Sequence, residues 1–293
     1  MHLREPFTPS FFKRLQQLKI RTRRAFLGTR QGSHISLRRG HGLEFSDFRP
    51  YTAGDDFRHI DWGVYGRSDR LYVRQFRSEQ DLNVLVLLDT SASMAYPEGQ
   101  GKFELARNIA LALGYIALCD GDSVVFSLLG LRNTPRFTGQ KAISRAMAAL
   151  NDVQPHGSVD IVREVRAAIA QQKIPGRCFF VSDFLFDLGT QFAALDLLRS
   201  RSFEITVIQT IAPGELRLDV DDLQVVVDAE TGETVELALD RSSQREYSLK
   251  LGQHVEELER YCQRAGITHL LVSSEEKLSD VVLTRFPEMG VLK

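Results

Sequence analysis

From residue 83 onward the chain alternates between short continuous apolar runs and longer stretches whose apolar positions recur at helical spacing. Asn83-Val-Leu-Val-Leu-Leu-Asp89 is apolar without interruption, as expected of a central strand covered on both faces. Residues 103–118 then show a helical period with an Ala- and Leu-rich face. Ser123–Leu129 reads as a second buried strand, 140–150 and 160–171 as helices, and 177–183 as a third strand. A helix over 190–200 and a strand over 203–210 continue the series. Strands alternating with helices imply a parallel sheet joined by right-handed crossovers. The expected fold class is therefore α/β, a doubly wound, mainly parallel sheet.

The alternation breaks after Pro213-Gly214. Leu223-Gln-Val-Val-Val-Asp228 and Glu233-Thr-Val-Glu-Leu-Ala-Leu239 flank Ala-Glu-Thr-Gly, which predicts an inserted β-hairpin near 216–240 with Gly232 at the turn. A helix over 245–265, a strand over 268–272 and a helix over 277–285 follow. Toward the amino end the pattern differs. Phe11, Phe12, Leu15, Leu18 and Ile20 among Lys and Arg predict a basic amphipathic helix over 11–28. From 33 to 80, Gly, Arg and aromatics interleave with few helical stretches, and Arg70-Leu-Tyr-Val-Arg-Gln-Phe alternates as a strand does. Residues 1–80 are expected to form a basic helix and a small β-rich appendage, and 81–293 the α/β domain. No internal repeat or low-complexity tract interrupts this order.

Charge changes the picture only locally. The net charge is −1, yet residues 1–80 carry sixteen Lys and Arg against eight Asp and Glu. A basic first quarter can touch nucleic acid, a membrane surface or an acidic partner, or simply be solvated. Docking of its amphipathic helix on the same chain is the commoner arrangement. Cys119, Cys178 and Cys262 are scattered and lack metal-ligand spacing, so reduced buried thiols in a cytoplasmic protein are expected. The amino end lacks a signal-peptide core, and no apolar run approaches the roughly 20 residues that span a bilayer.

Candidate chemistry gathers at strand ends. Asp89-Thr90-Ser91-Ala92-Ser93 follows the first central strand and precedes a helix, on the edge of an open α/β sheet where ligands bind. Asp89, Ser91 and Ser93 offer hard oxygens, which favour Mg²⁺ or a similar divalent cation over zinc. Asp183, in Val-Ser-Asp-Phe, ends another central strand and can lie beside them. The plainer reading is that Asp and Ser before a helix are N-cap residues.

These residues resemble the metal-dependent adhesion site of the von Willebrand factor A family, Asp-x-Ser-x-Ser. The resemblance implies that Asp89, Ser91, Ser93 and Asp183 form the metal's first or second shell. That family's second loop carries a Thr in Gly-x-Thr-Asp. Here Gly157-Ser158-Val159-Asp160 places Val159 at that position and leaves Ser158 or Asp160 as substitutes. A longer stretch, Asp47-Phe-Arg-Pro-Tyr-Thr-Ala-Gly-Asp-Asp-Phe-Arg-His-Ile-Asp-Trp62, is similar to the signature of domain-of-unknown-function family 58. That resemblance implies partnership with a MoxR-type AAA+ ATPase and a client complex undergoing assembly or maturation. Physically, Asp47, Arg49, Asp55, Asp56, Arg58 and Asp61 around Tyr51 and Trp62 suit a charge-paired loop, with Pro50 and Gly54 shaping its turns. Such a loop serves either as a clasp onto the α/β domain or as a partner-binding surface, and the clasp is the expectation.

A non-enzymatic binding or adaptor protein follows from this reading. The enzymatic rival is a haloacid-dehalogenase-like phosphohydrolase, which needs a second Asp where Ser91 stands and a downstream Lys for which no place is evident. Phosphate loops and Gly-x-Ser-x-Gly are lacking. His59 and His156 lie near the loops of interest, but isolated histidines are more often structural. Nucleic-acid or membrane-surface binding through the basic segment is the remaining alternative; no recognised nucleic-acid motif supports it.

Overall fold

A computed structural model describes residues 7–23, 31–36, 44–53, 55, 57–96, 101–216, 224–227, 234–237 and 241–293. Its strands are β1 (Gln31–Ser36), β2 (Glu44–Pro50), β3 (Tyr72–Gln80), β4 (Asn83–Asp89), β5 (Ser123–Leu129) and β6 (Arg132–Asn133). They continue with β7 (Phe137–Thr138), β8 (Arg177–Ser182), β9 (Glu204–Ile211), β10 (Gln224–Val227), β11 (Thr234–Leu237) and β12 (Thr268–Ser273). The main sheet has the order β12-β9-β8-β4-β5-β6, with β7 also pairing β5. β12, β9, β8, β4 and β5 run parallel, whereas β6 and β7 are short antiparallel additions to the β5 edge.

Every residue of β4 and β5 is buried. Alternation along β4 explains why: Val84, Val86 and Leu88 face one apolar cluster, Leu85 and Leu87 the other. Each cluster needs a helical cover. On the first face lies α3 (Lys102–Cys119), with α1 (Pro9–Leu15) and α4 (Ile143–Asn151) beside it. On the second lie α5 (Ile161–Ala170), α6 (Leu188–Ser200) and α8 (Arg241–Ala265). A mixed α/β fold with a mainly parallel central sheet and helices on both faces results.

The smaller elements refine the expectations. β1, β3 and β2 form a separate three-stranded antiparallel sheet, which is the β-rich region foreseen over 33–80. Within it α2 (Trp62–Ser68) is a helix that the pattern did not predict. β10 and β11 pair antiparallel, so the hairpin is present; Gly232 and its turn lie outside the described residues. The helix expected over 11–28 stops at Leu15. Extended backbone follows, because Ile20 forms an antiparallel bridge with Leu292 and Lys19 exchanges both backbone hydrogen bonds with Lys293. α7 (Pro213–Leu216) leads toward the hairpin, and α9 (Leu278–Asp280), a π turn (Val281–Arg285) and α10 (Phe286–Glu288) end the chain. Among the described residues no helix is long and apolar enough to cross a membrane.

Candidate functional site

Parallel strands carry their carboxyl ends to a common lip. β4 and β8 are neighbours, so Asp89 and Asp183 follow adjacent strands to that lip. Both are buried, as are Thr90, Ser91 and Ser182. Asp89 Oδ1 accepts from the Ser91 backbone N–H at 2.9 Å, and Oδ2 from the Ser182 hydroxyl at 2.7 Å. Ser91 and Ser93 hydroxyls are 2.9 Å apart and bonded to each other. The loop is stitched to its neighbours: Thr90 Oγ1 donates to Leu129 O, His156 N to Thr90 O and Ala92 N to Gly157 O. The lip therefore brings Asp89, Ser91, Ser93 and Asp183 into one neighbourhood.

The second-loop residues behave differently. Asp160 is exposed and caps α5, accepting from Arg163 N at 3.0 Å. Ser158 is exposed on the preceding loop. Val159 packs against the second apolar cluster, and a methyl of its side chain would lie 2.5 Å from any Cβ on Gly130. A methyl thus stands where the resemblance calls for a hydroxyl ligand.

Three residues that sequence reasoning did not single out complete the lip. Lys102, the first residue of α3, is fully buried, with Nζ 2.9 Å from Asp183 Oδ2 and 2.5 Å from Glu215 Oε1. Glu215, just beyond β9, also accepts from Ala212 N at 2.8 Å. Ser182 donates to Asp89 and accepts from Phe184 N at 3.0 Å. Signals for the first two exist. A lysine in the first turn of a helix opposes the macrodipole and asks for acidic partners, and Glu215 is a third carboxylate just past a central strand. The sequence offers no suitable lysine after a strand; the lysine at this edge, Lys102, reaches it from a helix start.

The Asp183 loop is held by its own supports. Phe184 is a non-glycine residue at φ 51°, a conformation that costs about 1–3 kcal/mol unless its surroundings enforce it. Its carbonyl accepts from Gln191 Nε2 at 2.6 Å and from His254 Nε2 at 2.8 Å. Gln209 Nε2 donates to Asp183 O at 2.9 Å, and His269 contacts Gln209 Oε1 at 3.0 Å.

Electrostatics follow from burial. The Asp89 carboxyl is pushed up to about 6, first by burial and then by the charge of Asp183, against the hydrogen bonds from Ser182 and Ser91. Burial likewise raises Glu215, with Lys102 pulling in the opposite direction. A divalent cation needs several oxygens free to turn toward it. Here both Asp89 oxygens are occupied, the serine hydroxyls bond each other, Asp183 holds Lys102, and Val159 offers no oxygen. As arranged, these residues do not fit a resident divalent ion. Among the described residues no group of three or more His, Cys, Asp or Glu side chains is disposed to hold one.

The signature stretch bonds within its own region, and the contacts that fix it lie inside residues 47–75. Arg49 and Asp55 form a bidentate pair at 2.7 and 2.5 Å, reinforced by Thr52 N and Oγ1. The Arg49 guanidinium, then the Thr52 donors, hold the Asp55 carboxyl well below the usual range. Asp61 caps α2 through Val64 N at 2.9 Å, and Tyr51 N donates to Leu71 O. Asp47 and Pro50 pair in β2 with Gln75 and Tyr72 of β3. Arg58 is exposed at 57–59, while Gly54 and Asp56 lie outside the described residues. The expected network closes on itself locally. Its aromatics turn outward: Phe57 is 69% exposed, Trp62 62% and Tyr65 39%.

An α/β protein with a hydroxyl- and carboxylate-lined lip on a mainly parallel sheet is the class these features define. The family described as Protein of unknown function DUF58 matches residues 47–270, and the chain belongs to it. Uncharacterized protein Rv1480 of Mycobacterium tuberculosis and Uncharacterized protein Mb1516 of Mycobacterium bovis are each 25% identical over 283 residues, 94% of this chain and 88% of theirs. Among solved structures, the conserved hypothetical protein BatB from Bacteroides thetaiotaomicron aligns with 71% of this chain and 98% of its own, at a TM-score of 0.42 and 15% identity. An aerotolerance-related membrane protein from Bacteroides fragilis aligns with 63% and 98%, at a TM-score of 0.35 and 16% identity.

Proposed function

We propose that this chain is a non-enzymatic adaptor of von Willebrand factor A type. It engages protein partners, a MoxR-type AAA+ ATPase and a client complex, in assembly or maturation. The observation that carries the reading is the outward aromatic face of the signature. α2 buries none of its side chains, yet it carries Trp62 and Tyr65 edge-to-face at 6.1 Å, with Phe57 exposed just ahead of it in the chain. Large exposed aromatics beside arginines are the composition of an interface core, not of a solvated surface. The lip agrees with the A-type assignment, since Asp89, Ser91, Ser93 and Asp183 converge there from β4 and β8.

Co-purification with a MoxR-type ATPase tests the reading. The double variant Trp62→Ala/Tyr65→Ala is expected to lose the ATPase while keeping wild-type circular dichroism and thermal midpoint. Equal recovery by that variant would remove the aromatic face from the mechanism. Asp89→Ala, and wild type with and without Mg²⁺, report whether the lip takes part. The rival phosphohydrolase gains one element from the structure, a lysine beside Asp183, but that lysine is fully enclosed and both Asp89 oxygens are already bonded. A phosphatase screen separates the two readings: metal-dependent turnover abolished by Asp89→Asn would replace the adaptor with an enzyme.

A further inference from the structure

Lys102 sits where the loops of the lip converge. Its side chain is wholly enclosed, and its ammonium lies between Asp183, just beyond β8, and Glu215, just beyond β9. Ammonium ions do not survive enclosure without anionic partners. The buried carboxylates have the reciprocal need: Asp183 and Glu215 share this enclosed lysine, and Asp89 is buried beside Asp183. A divalent cation would meet the same need, by bridging the Asp89 loop and Asp183.

We propose that Lys102 is the resident cation of this lip, a tethered ammonium holding Asp183 and Glu215 in place of a divalent metal, so that the site is built to be metal-independent. Three features agree. The lysine takes Asp183 Oδ2 at 2.9 Å, while Oδ1 accepts from Leu185 N at 3.2 Å. The second loop supplies Val159, which packs into the core. The Ser91 and Ser93 hydroxyls satisfy each other at 2.9 Å. The inference concerns the same lip as the proposed adaptor role but does not depend on it: it reads metal binding by the purified chain, and ATPase capture plays no part.

The test is Mn²⁺ binding by electron paramagnetic resonance, paired with thermal unfolding in Mg²⁺ or in chelator, on wild type, Lys102→Met and Asp89→Asn. Wild type is expected to bind no stoichiometric Mn²⁺ and to unfold at the same temperature in both buffers. Lys102→Met removes the ammonium and leaves the carboxylates, so it is expected to bind one Mn²⁺ and to unfold at a higher temperature in Mg²⁺ than in chelator. One Mn²⁺ bound by wild type and lost in Asp89→Asn would overturn the proposal. So would a folded Lys102→Met that gains no metal. If Lys102→Met is not recovered folded, Lys102→Gln serves in its place, and the wild-type titration still decides the first half of the claim.

Discussion

Burial of Asp89 sets a pH dependence of its own. Its carboxyl is pushed up to about 6 by burial and by Asp183, whereas a free Asp titrates near 3.9. Between those values the folded chain holds a proton that the unfolded chain has lost. The stability this proton represents is complete below the unfolded value and is lost as pH rises through the folded one. Asp89→Asn keeps the shape and removes the ionisation. It is expected to flatten the dependence of urea stability on pH between roughly 4 and 6 and to raise stability at pH 7.5 by on the order of 1–2 kcal/mol. An unaltered slope in that window would mean that another group carries the titration. The opposite sign is expected at Asp183, where truncation takes one of two carboxylates from an enclosed ammonium and leaves it Glu215 alone. Asp183→Ala should cost about 3–5 kcal/mol in chemical unfolding, the range for breaking a buried pair. These two carboxylates were legible in the sequence because both end apolar strands. Lys102 was not, since a lysine after Gly101 reads as a solvated helix start until the fold places Asp183 and Glu215 against it.

Elements were legible wherever packing on two faces left an uninterrupted apolar record. The strands Asn83–Asp89 and Ser123–Leu129 are as the pattern predicts, since all their side chains are enclosed. α2 left no such record: Trp-Gly-Val-Tyr-Gly-Arg-Ser buries nothing, so no stripe marks it. β6 and β7 are two residues each, too short to carry a period. The region 157–160 shows how a motif position can be absorbed by helix geometry. Asp160 caps α5, so Asp160→Asn should be nearly neutral and Asp160→Ala should cost about 1 kcal/mol in urea unfolding. Equal effects from the two substitutions would argue for a role of the charge beyond the cap. α3 is fitted to the sheet through Gly114, where an added Cβ would lie 2.4 Å from the Phe126 ring. Alanine gains about 1 kcal/mol in helix propensity over glycine, but overpacking an enclosed ring costs about 1–3 kcal/mol. The clash wins, and Gly114→Ala is expected to lower the urea midpoint despite the better helix former.

At the scale of the whole molecule, the amino-terminal segment belongs to the core. Phe7, Phe11, Leu15 and Ile20 are buried in the same cluster as α3 and the carboxyl-terminal residues Phe286, Val291 and Leu292. Gln16 donates to the Tyr115 hydroxyl at 2.8 Å, and Lys19 pairs with Asp120 at 2.7 Å. Arg21 N donates to Val291 O. The amphipathic pattern that could have served a membrane or a nucleic acid is therefore spent internally over residues 7–21. Its apolar face meets α3, and its charge is partly matched by the acidic part of the chain. A stabilising role and a free-binding role differ in what a single truncation does. Leu15→Ala removes an enclosed side chain, with an expected loss of about 2–5 kcal/mol in urea unfolding. Because the lost contact is apolar, that loss should change little between low and high salt. A phosphate-bound basic segment would behave the other way, tolerating Leu15→Ala while its binding weakened steeply with ionic strength. An unchanged urea midpoint for Leu15→Ala would free the segment from the core and return it to the list of candidate binding elements.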